Sequence, residues 1–438
     1  MAEAASKAQR QLDRALGHAG LARVGSVIAV AGAHVLAVRA LGPAVYGDFV
    51  FAESLVFALN LLAIFGSHIS VFAIGSRERP ATARTMLTAA ASLIGGWLLL
   101  ELLLLALAQQ LFPHSRYADP AWLWRITAAV AGMSLYRVIA ELIRIEVGVA
   151  LANYFSGRGN GFVASLWLLP LLVLALATGT KLDALDLLAG FAIAQWLGVL
   201  IGLAFLLPAL RQPPPATALR HRDVIAEMLR RGRSITITQI AQLTVVSLDV
   251  WLLAMLAPAY ALGVYGLAKR FATWLIVPVG LVGQSALKHA VAEFREAGRI
   301  SAELEAAFRR AVLRSWWLVA SLVVIAAVLP ASWLQAIAGP TAVLARPFFV
   351  ALGLGQLLRL AFGNGGMILS AAGLEAENLR AYLVGNGAAL VAALAIIPIA
   401  GPWGAVAAYS TGTVIAAVLV SRACKRRMDF HCDLLGQR

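Results

Sequence analysis

Two turns placed half a chain apart constrain this sequence more than any other feature. The first, Arg39-Ala40-Leu41-Gly42-Pro43-Ala44-Val45-Tyr46-Gly47-Asp48, separates two long apolar runs. The second, Ala257-Pro258-Ala259-Tyr260-Ala261-Leu262-Gly263-Val264-Tyr265-Gly266, again carries Val-Tyr-Gly. Tyr46 and Tyr265 are 265 − 46 = 219 positions apart, half of the 438 residues. A Gly-containing turn repeated at that offset is what a tandem duplication leaves behind. The chain therefore reads as two copies of one membrane-embedded unit, with function expected where the copies face each other.

The runs flanking these turns are too apolar for a soluble globule: 61% of residues are hydrophobic, 13% are charged, and the mean hydropathy is +0.82. A spanning helix needs roughly 20 mainly apolar residues. Six such stretches lie near 20–40, 48–75, 85–112, 121–147, 161–179 and 184–208, and six more near 233–257, 260–286, 311–330, 346–371, 379–398 and 402–421. The expected fold class is an all-α polytopic membrane protein, with about twelve transmembrane helices in two six-helix lobes related by a pseudo-twofold along the membrane normal. Residues 1–208 form the N-terminal lobe, opened by an interfacial helix over 3–17; 209–232, with Pro213-Pro214-Pro215, form a cytoplasmic linker; and 233–438 form the C-terminal lobe with a basic cytoplasmic tail.

The net charge of +14 does not point to nucleic acid, because the basic residues sit in short loops beside apolar segments. With the N-terminus in the cytoplasm, Arg77, Arg79, Arg84, Arg158, Arg230, Arg231, Arg309, Arg310, Arg426 and Arg427 fall on that side, while Arg39, Arg116, Arg125, Lys181 and Arg346 fall opposite. That is the positive-inside asymmetry, and it places both termini in the cytoplasm. Cys424 and Cys432 do not make a zinc spacing and read as ordinary thiols. The first twenty residues are charged and amphipathic, unlike a signal peptide. No metal or other cofactor is implied.

Ionisable residues at bilayer depth are costly and are functional candidates by default. In the fourth span Arg137, Glu141 and Arg144 share one helical face. Either they form a self-neutralising packing stripe, or the excess cation faces a cavity. Arg359 in the tenth span echoes Arg137, at 359 − 137 = 222 positions, and is expected near mid-bilayer. Lys269 and Arg270 are adjacent, so at most one can aim at a cavity centre, which leaves the other to pair with Asp249. Asp249 reads equally as that structural partner or as a coupling site for protons or sodium. Glu53 is placed near the outer interface, and His34 is read as an interhelical hydrogen bonder. The summed charge suits an anionic substrate, since arginine's planar donors match phosphate or carboxylate.

Arg39 to Phe49 with Ser54 and Phe65-Gly66, and in the second half Asp249 followed by Gly263-Val264-Tyr265-Gly266-Leu267-Ala268-Lys269-Arg270, resemble the signature of Wzx-type oligosaccharide-lipid flippases. These belong to the polysaccharide-biosynthesis branch of the multidrug, oligosaccharidyl-lipid and polysaccharide exporter superfamily. The resemblance implies a non-enzymatic flippase of the bacterial inner membrane for undecaprenyl-diphosphate-linked oligosaccharide, with Arg137, Arg359 and one of Lys269 or Arg270 on the diphosphate or acidic sugars. Arg144 is a further cavity cation, and Glu141 and Glu53 are charge-pairing or coupling groups. A polysaccharide polymerase and copolymerase are the partners it implies. Twelve spans argue against the fourteen-helix lipid II flippase branch. Two other readings stay open: a cation-coupled drug exporter, disfavoured by the positive balance, and a membrane polymerase or glycosyltransferase, which lacks the large loop or acidic nucleotide motif it would need.

Overall fold

A computed structural model describes residues 2–75, 81–111, 113, 117, 119–155, 161–213, 219–277, 290–291, 293–294, 296, 299–363 and 365–434, with backbone alone at 2–20, 23, 161 and 234. Arg77, Arg79, Arg116, Arg158, Pro214 and Pro215 lie outside them. The described elements are all helical: α1 (Ala2–Ile64), α2 (Ser67–Gly75), α3 (Ala83–Leu111), α4 (Pro120–Glu146), α5 (Val149–Phe155), α6 (Gly161–Thr178), α7 (Ala184–Leu210), α8 (His221–Leu256), α9 (Ala259–Trp274), α10 (Ala302–Val328), α11 (Ala331–Ala338), α12 (Pro340–Ala361), α13 (Gly366–Ala371), α14 (Glu375–Ala400) and α15 (Pro402–Met428).

Among the described residues nine helices are long and apolar enough to cross a membrane, and the first of them, Val24–Ile64, is two helices merged at Gly42. There φ is 74° and ψ 169°, a backbone region open to glycine, and Pro43 restarts the helix where its missing N–H costs nothing. The elements recur at the half-chain offset: α3 and α10 start 302 − 83 = 219 positions apart, α4 and α12 340 − 120 = 220, and α7 and α15 402 − 184 = 218. Helix starts are fixed locally. Asp119 accepts from the Ala121 N–H beside Pro120, and Asp183 and Asp186 form a reciprocal capping box at α7.

Two expected spans need correction, and a third is described only in part. The stretch 48–75 is broken at Phe65 and Gly66, both in the left-handed region, so it yields the end of α1 and the short α2. The stretch 346–371 is two helices, because Gly363 at φ 75° ends α12 and α13 begins at Gly366. The stretch 260–286 is described only as α9 with a few residues beyond, and 278–289 lie outside the described residues. Within 209–232, residues from His221 onward are already the first turns of α8, steadied by Glu227 pairing with Arg230 at 2.7 Å and Arg231 at 2.6 Å.

The chain divides into two compact units, residues 1–41 with 52–236 and residues 42–51 with 237–438. The first unit packs Ile64, Ile74, Met86, Tyr136, Ile139, Leu142 and Phe155 from α1 to α5 into one apolar core. Asn60 donates to Ser134 at 2.7 Å and Trp196 to the Ala128 carbonyl at 3.0 Å, satisfying polar groups between helices.

In the second unit, residues 42–51 lie against α9 with backbone touching backbone. A Cβ on Gly263 would fall 1.7 Å from the Pro43 carbonyl oxygen, and one on Gly47 would fall 2.2 Å from that of Ala259. Only glycine allows that approach, so the repeated turn residues are the packing surface itself. At the chain's end Asp429 adopts the left-handed conformation and the tail folds back. Leu434 donates its N–H to the Ala361 carbonyl at 2.8 Å, Arg309 reaches the Leu434 carbonyl at 3.0 Å, and Ser421 reaches Asp433 at 2.7 Å. Both cysteines are buried by this strap, Cys424 within α15 and Cys432 beyond it.

Candidate functional site

In the first unit α4 carries the expected triplet, and the three charges do not share one fate. Arg144 Nη1 lies 3.1 Å from Glu141 Oε2, so these two close on each other. Arg137 forms no ion pair or side-chain hydrogen bond among the described residues, and its charge reaches His68 on α2. Glu53 is 3% exposed, ten residues past the Pro43 restart, and 3.7 Å from His34 Nε2. Ten residues at 1.5 Å each put it roughly 15 Å along its helix. The histidine raises no charge cost when neutral and answers the carboxylate when protonated.

In the second unit the expected charges build a buried network. Asp249 on α8 accepts from Lys269 Nζ and from the Tyr265 hydroxyl, both on α9 and one turn apart. The ammonium also faces the Tyr409 ring at 4.8 Å, and Gln356 donates to the Tyr409 hydroxyl at 2.5 Å. Asp249 is 2% exposed, Lys269 6%, Tyr265 0% and Tyr409 2%. A buried pair of this kind survives only because further hydrogen bonds and a ring face complete its shell. Arg270 turns a different way and interacts with Tyr46 from the first copy of the turn. Tyr265 was findable from sequence, since i and i+4 put it on the face of Lys269. Tyr409 and Gln356 carry no such signal and emerge only from the packing of α12 against α15.

Arg359 sits in the last turn of α12, where a cation complements the helix C-terminus, and it forms no ion pair or side-chain hydrogen bond among the described residues. It lines a cavity of about 20 Å³ with Val245, Gly363, Tyr382, Thr413 and Val420. That volume holds a water molecule and is too small for a diphosphate. Arg137 is 17 residues from the start of α4 and Arg359 19 from the start of α12. At 1.5 Å per residue these are rises of roughly 26 and 28 Å along their own helices, so the two arginines hold similar positions in the two copies.

No protein-family model matches the chain and no curated protein matches it. Solved structures do. The MATE multidrug transporter DinF-BH is similar at 17% identity and TM-score 0.60, covering 94% of this chain and 95% of its own. An inward-facing MATE family multidrug resistance transporter of the MOP superfamily is similar at 16% identity and TM-score 0.63, covering 93% and 95%. The lipid II flippase MurJ in an inward closed conformation is similar at 12% identity and TM-score 0.61, covering 93% and 87%. The described residues thus form an all-helical polytopic membrane protein with the fold these proteins share.

Proposed function

We propose that the protein is a flippase that moves an undecaprenyl-diphosphate-linked oligosaccharide across the bacterial inner membrane for polysaccharide export, by alternating access between its two halves. The observation that carries this reading is where charge is left over. Lys269 is answered by Asp249 and Arg144 by Glu141, whereas Arg137 and Arg359, at similar positions along corresponding helices of the two copies, have no carboxylate among the described residues. Cations held without counter-ions at membrane depth are expected to meet an anionic group that arrives with a substrate. A position toward the far end of each helix would suit a phosphate entering from the cytoplasmic leaflet if both termini lie on that side. The fold likeness to a flippase and to exporters supports translocation as the activity.

The test is deletion of the gene. Lipid-linked repeat units should accumulate on the cytoplasmic face, and normal surface polysaccharide in the deletion strain would overturn the reading. Ethidium efflux that depends on Asp249 would instead favour a drug exporter, with the same fold and a different cargo.

A further inference from the structure

One surface groove in the second unit shares no lining residue with the Arg359 cavity. It is about 530 Å³, within the range of small-molecule sites, and runs between the tail-side ends of α14 and α15. On α14 it is lined by Glu377, Arg380, Ala381 and Val384, an i, i+3, i+4, i+7 stripe; on α15 by Leu419, Ala423, Arg426 and Arg427, again one face. Both stripes have the same polarity gradient. Charge occupies the helix end, and one to two turns deeper the lining is apolar, with Val384 54% exposed.

The arginines are arranged and not merely numerous. Glu377 Oε1 accepts from Arg427 Nε at 3.0 Å and Nη2 at 2.5 Å across the two helices, and lies 3.9 Å from Arg380. Three guanidiniums against one carboxylate leave a formal charge of 3 − 1 = +2. Arg422 and Lys425 on the same helix end add to the field. Clustered arginines above an apolar floor at a membrane helix end match a phosphate headgroup with its chains laid down the groove.

We infer that this groove binds an anionic membrane lipid carrying two phosphates, its headgroup on Arg380, Arg426 and Arg427 and its chains along Val384 and Leu419. The site does not depend on what the protein transports. Glu377 acts as the positioning residue that holds Arg427 across the gap.

Purified full-length protein in detergent, titrated with diphosphatidylglycerol and followed by native mass spectrometry, tests it. The Arg380→Gln/Arg426→Gln variant should bind that lipid roughly thirtyfold more weakly, while Lys181→Gln, an exposed cation elsewhere, should bind like the parent. Should the double variant fail to fold, Val384→Trp fills the groove with the guanidiniums intact and should also lose the lipid. Unchanged binding in the variant that folds, equal binding of phosphatidylcholine, or displacement by equimolar pyrophosphate would each overturn the proposal, the last by making this a site for a free anion.

Discussion

At the scale of single residues, the buried Asp249–Lys269 pair makes the sharpest prediction, because the cost of breaking it is asymmetric. Lys269→Met leaves a carboxylate buried with only the Tyr265 hydroxyl for company, and the loss should be roughly 3–5 kcal/mol. Adding Asp249→Asn removes the stranded charge, so the double variant should recover much of the stability, as read by thermal unfolding of the detergent-solubilised protein. Equal loss in single and double variants would mean the ions themselves are needed. Glu227, outside the membrane, behaves differently. Hydrogen bonds from Arg231 and Arg230 hold its carboxyl down to about 2, against the ordinary 4.5. A depressed folded value means the stabilisation is present above about pH 4.5 and fades as pH falls through about 2. Because Arg230 is 71% exposed, solvent screens the pair, and Glu227→Gln should cost only roughly 0.5 kcal/mol at neutral pH and progressively less as pH falls toward and below about 2. The sequence named Asp249, Lys269 and Arg270 but could not say which cation took the aspartate, since helical spacing fixes faces and not partners. Nor could it pair Glu53 with His34, which lie 3.7 Å apart on either side of the Gly42 turn, for the same reason.

Among elements, the glycines decide which helices can touch. Gly263→Ala puts a methyl group into the Pro43 carbonyl, and because the obstacle is backbone no side chain can turn aside. Loss of folded protein, or a fall in thermal midpoint of many degrees, is expected on gel filtration and heating. Gly95→Ala in α3 and Gly387→Ala in α14 meet nothing within 4 Å, and there alanine's higher helix propensity should leave stability unchanged or slightly raised. Destabilisation by all three would show that helix context, and not close approach, governs the effect. The duplicated turn was legible as a repeat from its letters alone. Its packing role was not, because no pattern in one segment reveals which backbone comes within van der Waals range of it. The breaks at Gly66 and Gly363 escaped notice because the flanking residues are apolar, and hydropathy averages run straight across a single left-handed residue. The folded-back tail was also invisible: Cys432 reads as an ordinary thiol in a basic tail, yet it is buried together with Phe430.

For the whole molecule, the half-chain offset of 218–220 positions between corresponding helix starts turns one question about Arg137 into a paired question about Arg137 and Arg359. If both bind the same anionic group during transport, Arg137→Ala and Arg359→Ala should each cut surface polysaccharide severalfold while protein levels stay near normal. The double variant should be little worse than the poorer single one, because a substrate that loses one of two clamps already fails to engage. Lysine replacements keep the charge but lose the planar pair of donors, so they should restore export in part. A packing role predicts another pattern: both alanine variants would lower the amount of folded protein, and lysine would not help. The two sites also differ in a way that tests alternating access. Arg359 lines a cavity with room for one water, so a bulky neighbour such as Ala417→Trp should hold that cavity shut and abolish export without unfolding the chain. Full transport with the cavity blocked would remove Arg359 from the route and leave the charge of Arg137 without its counterpart.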